Sequence, residues 1–497
     1  MTVMRTTLRL ALAGTMAAAC FALAGCGNDA ATQQTTTPFA VVAMTDGTTG
    51  AEPYLVKDGA VTLIKDINPG SGDSNPIGFT PLNGKICFFA SDGTNYGLWV
   101  TDGTAAGTTQ VKTFQANNVD KAANATIAKQ ISGGPAELTA FNGKLYFAAN
   151  DGTNGTELWV TDGTATGTVM VKDINTTAGA SSYPRSLAVM GSKLYFSATD
   201  GTNGYELWAS DGTSAGTAMV KDINTSSAGA SSYPGGFTAM NGKLYFQAND
   251  GVNGYELWVT NGTADGTVML KDINTTAGAS SYPLYFTPMG GKLYFRADDG
   301  VNGSELWVTD GTASGTTMVK DINTATAGAG SSPDSFTVFN GKLYFDATDG
   351  THGYELWVSD GTEAGTVMLK DINTATAGAS SYPDSFTIFN GKLYFNADDG
   401  VHGTELWVTD GTDAGTAMVA DIYPGSSSSG AVAIQVFASM SNTSYLYGNF
   451  TTLLLSASDA DHGLELWTTD GTAAGTKLLK DLNPGTGDGI SLFGMKG

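Results

Sequence analysis

The chain is poor in the residues that carry most covalent and catalytic chemistry. Cysteine occurs three times in 497 residues. Cys20 and Cys26 both lie in an N-terminal apolar segment, so Cys87 stands alone in the body of the chain and no disulfide can form there. Histidine also occurs three times, at His352, His402 and His462, and arginine beyond the N-terminal segment is confined to Arg185 and Arg296. Basic residues number 24 against 47 acidic ones, and a formal charge of −23 repels nucleic acid and anionic surfaces, so no nucleic-acid partner is expected. Charged residues are nevertheless only 14% of the chain while glycine numbers 66, a balance that suits tight turns between strands better than a disordered acidic tail.

Long hydrophobic runs are absent apart from one near the start, and that run stops well short of the ~20 residues a membrane span needs. Arg5 and Arg9 precede it, and it ends in Leu23, Ala24, Gly25 and Cys26, which resembles a bacterial lipoprotein signal with its lipobox. The resemblance implies removal of residues 1–25 and acylation of Cys26, with a membrane as the anchored partner. Loss of Arg5 and Arg9 would take the charge from −23 to −25, since the first 25 residues hold no acid. Gly27 rather than Asp follows, which favours the outer membrane or cell surface. Residues 26–38, with Thr, Gln, Asn and Ala, read as a flexible tether.

What the chain does have is repetition. Tryptophan falls at Trp99, Trp159, Trp208, Trp258, Trp307, Trp357, Trp407 and Trp467, at spacings of 60, 49, 50, 49, 50, 50 and 60 residues. A period near fifty marks an array of one supersecondary unit whose apolar faces are buried only against neighbours. One unit shows how its strands arise. Ser335 to Phe339 is a short apolar run, Asn340 and Gly341 give a two-residue type I′ turn, and the run from Lys342 to Ala347 follows as a second strand. Glu355 to Ser359 is the third and Thr366 to Ile372 the fourth, with a longer crossing to the next unit. Four antiparallel strands and one crossing per repeat predict an all-β propeller of four-stranded blades over residues 39–497.

Register follows from the turns. If Thr161 faces Thr168, Trp159 lies opposite Met170 and Glu157 opposite Lys172, an ion pair closing the hairpin. The same rule pairs Glu465 with Lys480, and Glu52 with Lys65 around an Asp58, Gly59 turn; Ala420 leaves Glu405 without a lysine. The residues from Phe39 match strand two of the unit and those from Ser491 to Lys496 match strand one, so the two ends are expected to share the first blade and close the ring. Counting Tyr54 in place of the first tryptophan gives nine blades. An eight-bladed ring with a stray unit and an open solenoid are the alternatives; near-equal spacing and matched ends favour nine.

The phrase GluLeuTrpValThrAspGlyThr at Glu157 to Thr164, with copies beginning at Glu206, Glu256, Glu305, Glu355, Glu405 and Glu465, resembles the repeat that names the ELWxxDGT repeat family of bacterial exported proteins. Asn261 replaces the aspartate in one copy, and the copies at Gly97 and Glu52 are worn. The resemblance implies a propeller-like exported protein and brings no catalytic residues, so function has to be argued from the site.

Several constellations invite chemistry. Asp151, Asn154 and Glu157 offer oxygens at steps of three, as a calcium site would; calcium takes six or more oxygens, which favours a plain turn capped by its aspartate. No other cofactor is expected. The histidines replace that asparagine, and tolerance of a left-handed backbone accounts for them. One tryptophan per blade reads as blade-to-blade core. Turn lysines Lys85, Lys144, Lys193, Lys243, Lys292, Lys342 and Lys392, with Lys496, should ring one mouth, solvated rather than anion-holding. A sialidase, which needs three arginines, fails on inventory. A quinone-dependent dehydrogenase or a polysaccharide lyase or hydrolase should show catalytic groups that break the repeat, and few residues do.

Two positions do vary. The residue after the strand-two phenylalanine runs Phe89, Ala148, Ser197, Gln247, Arg296, Asp346, Asn396 and Ser456, and the one after the inter-blade proline includes Arg185, Gly235, Leu284, Asp334 and Asp384. Differences confined to one face of an array are where binding surfaces are built. The expansions near Gln115 to Ser132 and Gly425 to Tyr447 add unique surface. The reading is a surface-tethered propeller that binds a protein or glycan, with Arg185, Gln247, Arg296, Asp334, Asp346, Asp384 and Asn396 as candidate ligand contacts and an enzyme as the alternative.

Overall fold

The computed structural model describes residues 39–115, 138–434 and 452–491; Cys26, the tether, Lys496 and most of the two expansions lie outside them. Eight four-stranded antiparallel sheets and one three-stranded sheet follow one another, and no helix is present among the described residues. First strands of successive blades, such as Arg185–Met190, Gly235–Met240, Leu284–Met289 and Asp334–Phe339, lie against one another, so they form the inner wall. The nine blades make a ring.

Closure occurs where the matched ends predict it. Blade one supplies Phe39–Met44, Glu52–Lys57 and Ala60–Leu63. Its missing inner strand comes from the far end of the chain: Met44 bridges Ile490, Thr45 N donates to Gly489 O at 2.8 Å, and Ser491 N donates to Ala43 O at 3.0 Å. Residues 492–497 lie outside the described residues.

The blades bury their sheets against each other. Trp208 packs with Leu194 and Phe196 against Phe141, Leu158 and Val160 of the preceding blade, and the arrangement recurs around the ring. Burying one such phenylalanine or tryptophan contributes about 2–3 kcal/mol, so the seams between blades carry much of the stability. Cys87 belongs to one seam, fully buried, and burial pushes its thiol up to about 12, which makes it inert. Asn340 and Gly341, at φ 49° and 73°, make the expected type I′ turn, as do Asp58 and Gly59 at 53° and 75°.

The expected glutamate–lysine pairs are not formed. Trp159 does face Met170, but a bulge between Leu158 and Trp159 moves Lys172 opposite Leu158. Glu157 is then wholly buried, accepting from Ile174 N at 2.9 Å, Ser182 N at 2.8 Å and Ser182 Oγ at 2.6 Å. It pins the crossing to the next blade. Glu52 does the same with Ile67 and Ser74, and Glu465 accepts from Leu482 N and Asn483 N. The lysines instead reach the following blade: Lys172 Nζ donates to Thr217 O at 2.7 Å, Lys65 to Thr108 O at 2.8 Å and Lys271 to Thr316 O at 2.7 Å. Lys271 also lies 5.9 Å from the Trp307 ring centre and Lys112 lies 5.0 Å from that of Trp159. One residue type therefore fastens a blade to its own exit, and the other fastens it to its neighbour.

Candidate functional site

Antiparallel order divides the loops between two faces. The Asn-Gly hairpins and the AspGlyThr turns share one face; the crossings, such as 173–184, and the loops after the second strands share the other.

The first face is occupied by its own turn chemistry. Asp162 Oδ1 accepts from Thr164 N at 2.9 Å and Thr164 Oγ1 at 2.7 Å, and those two donors hold its carboxyl below the ordinary value. Lysines of the ring sit beside these aspartates, Lys144 by Asp162, Lys193 by Asp211 and Lys292 by Asp310, and lower them further. Charge is thus matched locally around that mouth.

On the opposite face the loop read as a calcium candidate closes on itself. Asp151 Oδ1 accepts from Thr153 N and Asn154 N, and Asn154 Nδ2 donates to Asp151 Oδ2 at 2.8 Å. Burial pushes the Asp151 carboxyl up, but these donors outweigh it and hold it low. Glu157 faces the crossing, so the three residues do not converge. Among the described residues no group of three or more His, Cys, Asp or Glu is placed to hold a metal ion. The histidines occupy the Asn154 position without a left-handed backbone; His352, His402 and His462 are absent from the positive-φ positions. Their role is to donate: His352 Nδ1 lies 2.7 Å from Asp349 Oδ2, His402 Nδ1 2.7 Å from Asp399 Oδ2 and His462 Nδ1 2.8 Å from Asp459 Oδ1. That replaces the backbone explanation offered from sequence.

The two variable positions meet. Across the first and second strands Arg185 pairs with Ser197, Gly235 with Gln247, Leu284 with Arg296, Asp334 with Asp346 and Asp384 with Asn396. Just beyond each lies a bulge with a left-handed residue such as Ser335 at φ 57°, which turns the inner strand at the mouth. The second-strand residue faces the seam with the next blade, as Phe89 does in packing against Phe147.

Buried polar atoms without partners separate scaffold from site. Most recur in nearly every blade, as the Trp159 Nε1 and Asp173 Oδ1 positions do, and belong to the repeat. Of those that do not recur, Asn75 Oδ1, Gln110 Nε2 and Asn323 Oδ1 are scattered, whereas Gln247 Oε1, Asp346 Oδ1 and Asn396 Oδ1 share the variable position, in blades five, seven and eight. Asp346 is 9% and Asn396 4% exposed. Burial, then the charges of Asp334 and Asp384, pushes the Asp346 carboxyl well above its ordinary value, with Arg296 opposing. Arg296 lies 4.8 Å from the Tyr285 ring centre, and Tyr285 Oη donates to Asp334 Oδ2 at 3.2 Å. Arg185 is engaged differently, 4.5 Å from the Tyr205 ring centre with its Nη2 donating to Tyr205 Oη at 3.0 Å.

Tyrosines that the sequence reading passed over frame this mouth. Tyr183, Tyr233, Tyr282 and Tyr382 precede the inter-blade proline in a left-handed conformation and are between 42% and 56% exposed. Tyr233 stacks on Tyr205 at 5.4 Å, Tyr282 on Tyr255 at 5.6 Å and Tyr382 on Tyr354 at 5.5 Å. Tyr233, Tyr255 and Tyr282 line an open depression with Gln247 in its wall. The recurring SerSerTyrPro phrase was the signal: a large aromatic in a crossing loop has no core to enter. In blade six the pair is replaced by Ser304 and Ser332, and there the Tyr285, Arg296, Asp334 and Asp346 group stands.

No family model matches the chain, and no curated protein does. Among solved structures it is similar to a prolyl endopeptidase (11% identity, 69% of this chain and 49% of that one, TM-score 0.39). It is also similar to oligopeptidase B from Leishmania major (10% identity, 70% and 49%, TM-score 0.39) and to puromycin hydrolase (13% identity, 78% and 62%, TM-score 0.38). The chain spans about half to three fifths of the length of these structures.

Proposed function

We propose that this propeller is a binding module, tethered by lipid on Cys26 at the outer membrane or cell surface, which holds an extracellular or envelope ligand at the crossing-loop mouth of blades five to eight. The observation that carries the reading is the set of buried oxygens without donors, on Gln247, Asp346 and Asn396, at positions where the repeat abandons its own pattern. A buried polar group left unpaired costs roughly 1–3 kcal/mol. A scaffold that fills the same position with Ala148 or Ser197 elsewhere has no structural need of that cost. The stacked tyrosines add exposed aromatic area at the same mouth, which binding surfaces use.

A glycan and protein binding screen with the chain from Gly27 onward tests this. Gln247→Ala, Arg296→Ser, Asp346→Ser and Asn396→Ala together should abolish the binding found while leaving the melting temperature equal or higher. Retained binding would move the site to the expanded loops. A propeller enzyme acting on a polysaccharide is a second reading, favoured by the Asp346 carboxyl, whose hold on a proton burial strengthens in the direction a general acid needs. Turnover lost in Asp346→Asn with binding intact would establish it.

A further inference from the structure

Asp334 and Asp346 are directly opposed across antiparallel strands, an arrangement that repels where both are ionised, and Asp384 adds a third carboxylate from the next blade. Against them stands Arg296, whose guanidinium rests on the Tyr285 ring and forms no ion pair among the described residues. Asp334 is served by Tyr285 Oη and Ser335 N. Asp346 Oδ1 has no partner. An independent second sign comes from blade eight, where Asn396, 4% exposed and paired in register with Asp384, also presents an Oδ1 with no donor. Two acceptors, both more than nine-tenths buried, thus wait for donors at the same position of successive blades, each opposite an aspartate across its strand pair.

A ligand that satisfies this seam brings positive charge and several N–H donors. A bare metal ion is disfavoured, because among the described residues no group of three or more His, Cys, Asp or Glu is placed to hold one. An alkylammonium group carries three donors on a point charge, and an exposed ring at the mouth such as Tyr382 suits its flanking methylenes. Resting on the binding reading above, we propose that the seam of blades six to eight recognises an alkylammonium group, as borne by a lysine side chain or a free polyamine.

Calorimetric titration of pentalysine, spermidine and calcium chloride into the chain from Gly27 onward, at low and moderate salt, tests the proposal. Pentalysine should bind at one site per chain, and Asp346→Asn should weaken it by at least about tenfold. The double variant Asp265→Asn, Glu363→Gln removes two exposed acids from AspGlyThr-type turns on the opposite face and should change affinity by less than about twofold. Without ligand, Asp346→Asn should raise the melting temperature at neutral pH, because it removes a buried carboxylate lacking a full set of partners. Spermidine binding as tightly as pentalysine would assign the ligand to the polyamine class, and weaker binding would assign it to a peptide.

Equal losses in both variants would reduce the binding to general acidity and overturn the proposal. So would displacement of pentalysine by calcium in a stoichiometric site, or a lowered melting temperature in Asp346→Asn with affinity unchanged. If a neutral ligand is lost on the fourfold replacement while pentalysine never binds, this inference falls and the binding reading stands. If no ligand depends on the fourfold replacement, both fall.

Discussion

The buried glutamate is the residue on which the repeat turns, and its chemistry is unlike the exposed ion pair its spacing suggests. Glu256 accepts from Ile273 N and from Ser281 N and Oγ, so Glu256→Ala strands three donors and should cost about 3 kcal/mol, read as a shift in the urea midpoint; Glu256→Gln, which keeps one acceptor, should cost about half as much. Burial raises Glu52, Glu206 and Glu355 from 4.5 to about 7. The folded state therefore holds protons that the unfolded chain has released, and the stability they contribute is lost as pH rises from 4.5 through about 7. The histidines, raised by their hydrogen bonds to Asp349, Asp399 and Asp459, likewise lose their contribution as pH rises from 6.5 through their folded values. Turn aspartates such as Asp46 and Asp349, held at about 2, act in the other direction and lose theirs only as pH falls below 3.8. The melting temperature should thus peak near about pH 5 and fall toward pH 8, and a profile rising from pH 5 to 8 would contradict the assignment. His352→Asn should leave stability unchanged, because Asn154 makes the same bond to its aspartate.

At the scale of the strand and hairpin, most of the structure was legible. Apolar runs, Asn-Gly turns and tryptophan spacing gave strands and blades, and the two variable positions proved to be cross-strand partners. In the tryptophan-bearing blades the glutamate–lysine pairing fails because of a bulge such as that at Leu158 and Trp159, which inserts a residue without altering the alternation of apolar side chains; in blade one, where the register has no bulge, Glu52 still turns to Ile67 and Ser74 rather than to Lys65. Pairing rules count residues and cannot see it. The tyrosine rim was missed because its residues lie in crossings, where periodicity carries no information, and their exposure depends on the left-handed turn before proline. The seam lysines offer a test of this corrected picture. Lys271→Met should lose the bond to Thr316 O and the contact with Trp307, lowering stability by about 1 kcal/mol, whereas Glu256 replacement should add to it independently. Strong coupling between the two would restore the ion pair.

At the scale of the whole molecule, the ring depends on the pairing of Phe39–Met44 with the segment at Ile490. Deleting residues 490–497 should leave blade one without its inner strand and lower the melting temperature by several degrees; an unchanged transition would mean the ring holds without its closure. Anchoring is a separate matter: on the lipoprotein proposal, Cys26→Ala should abolish acylation, read by fatty-acid labelling, without altering the fold. The near-identity of the blades has one further result. The seams that join blades four to seven are each built from the same tryptophan, phenylalanine and lysine, so a blade there that passed over its neighbour and met the next would find a surface it could equally well accept. Correct order is then a matter of local concentration: a crossing as short as residues 173–184 keeps the proper neighbour close at hand and more distant ones dilute. Lengthening one crossing with a flexible insert should leave the finished seams intact, yet slow refolding and populate rings with blades out of turn.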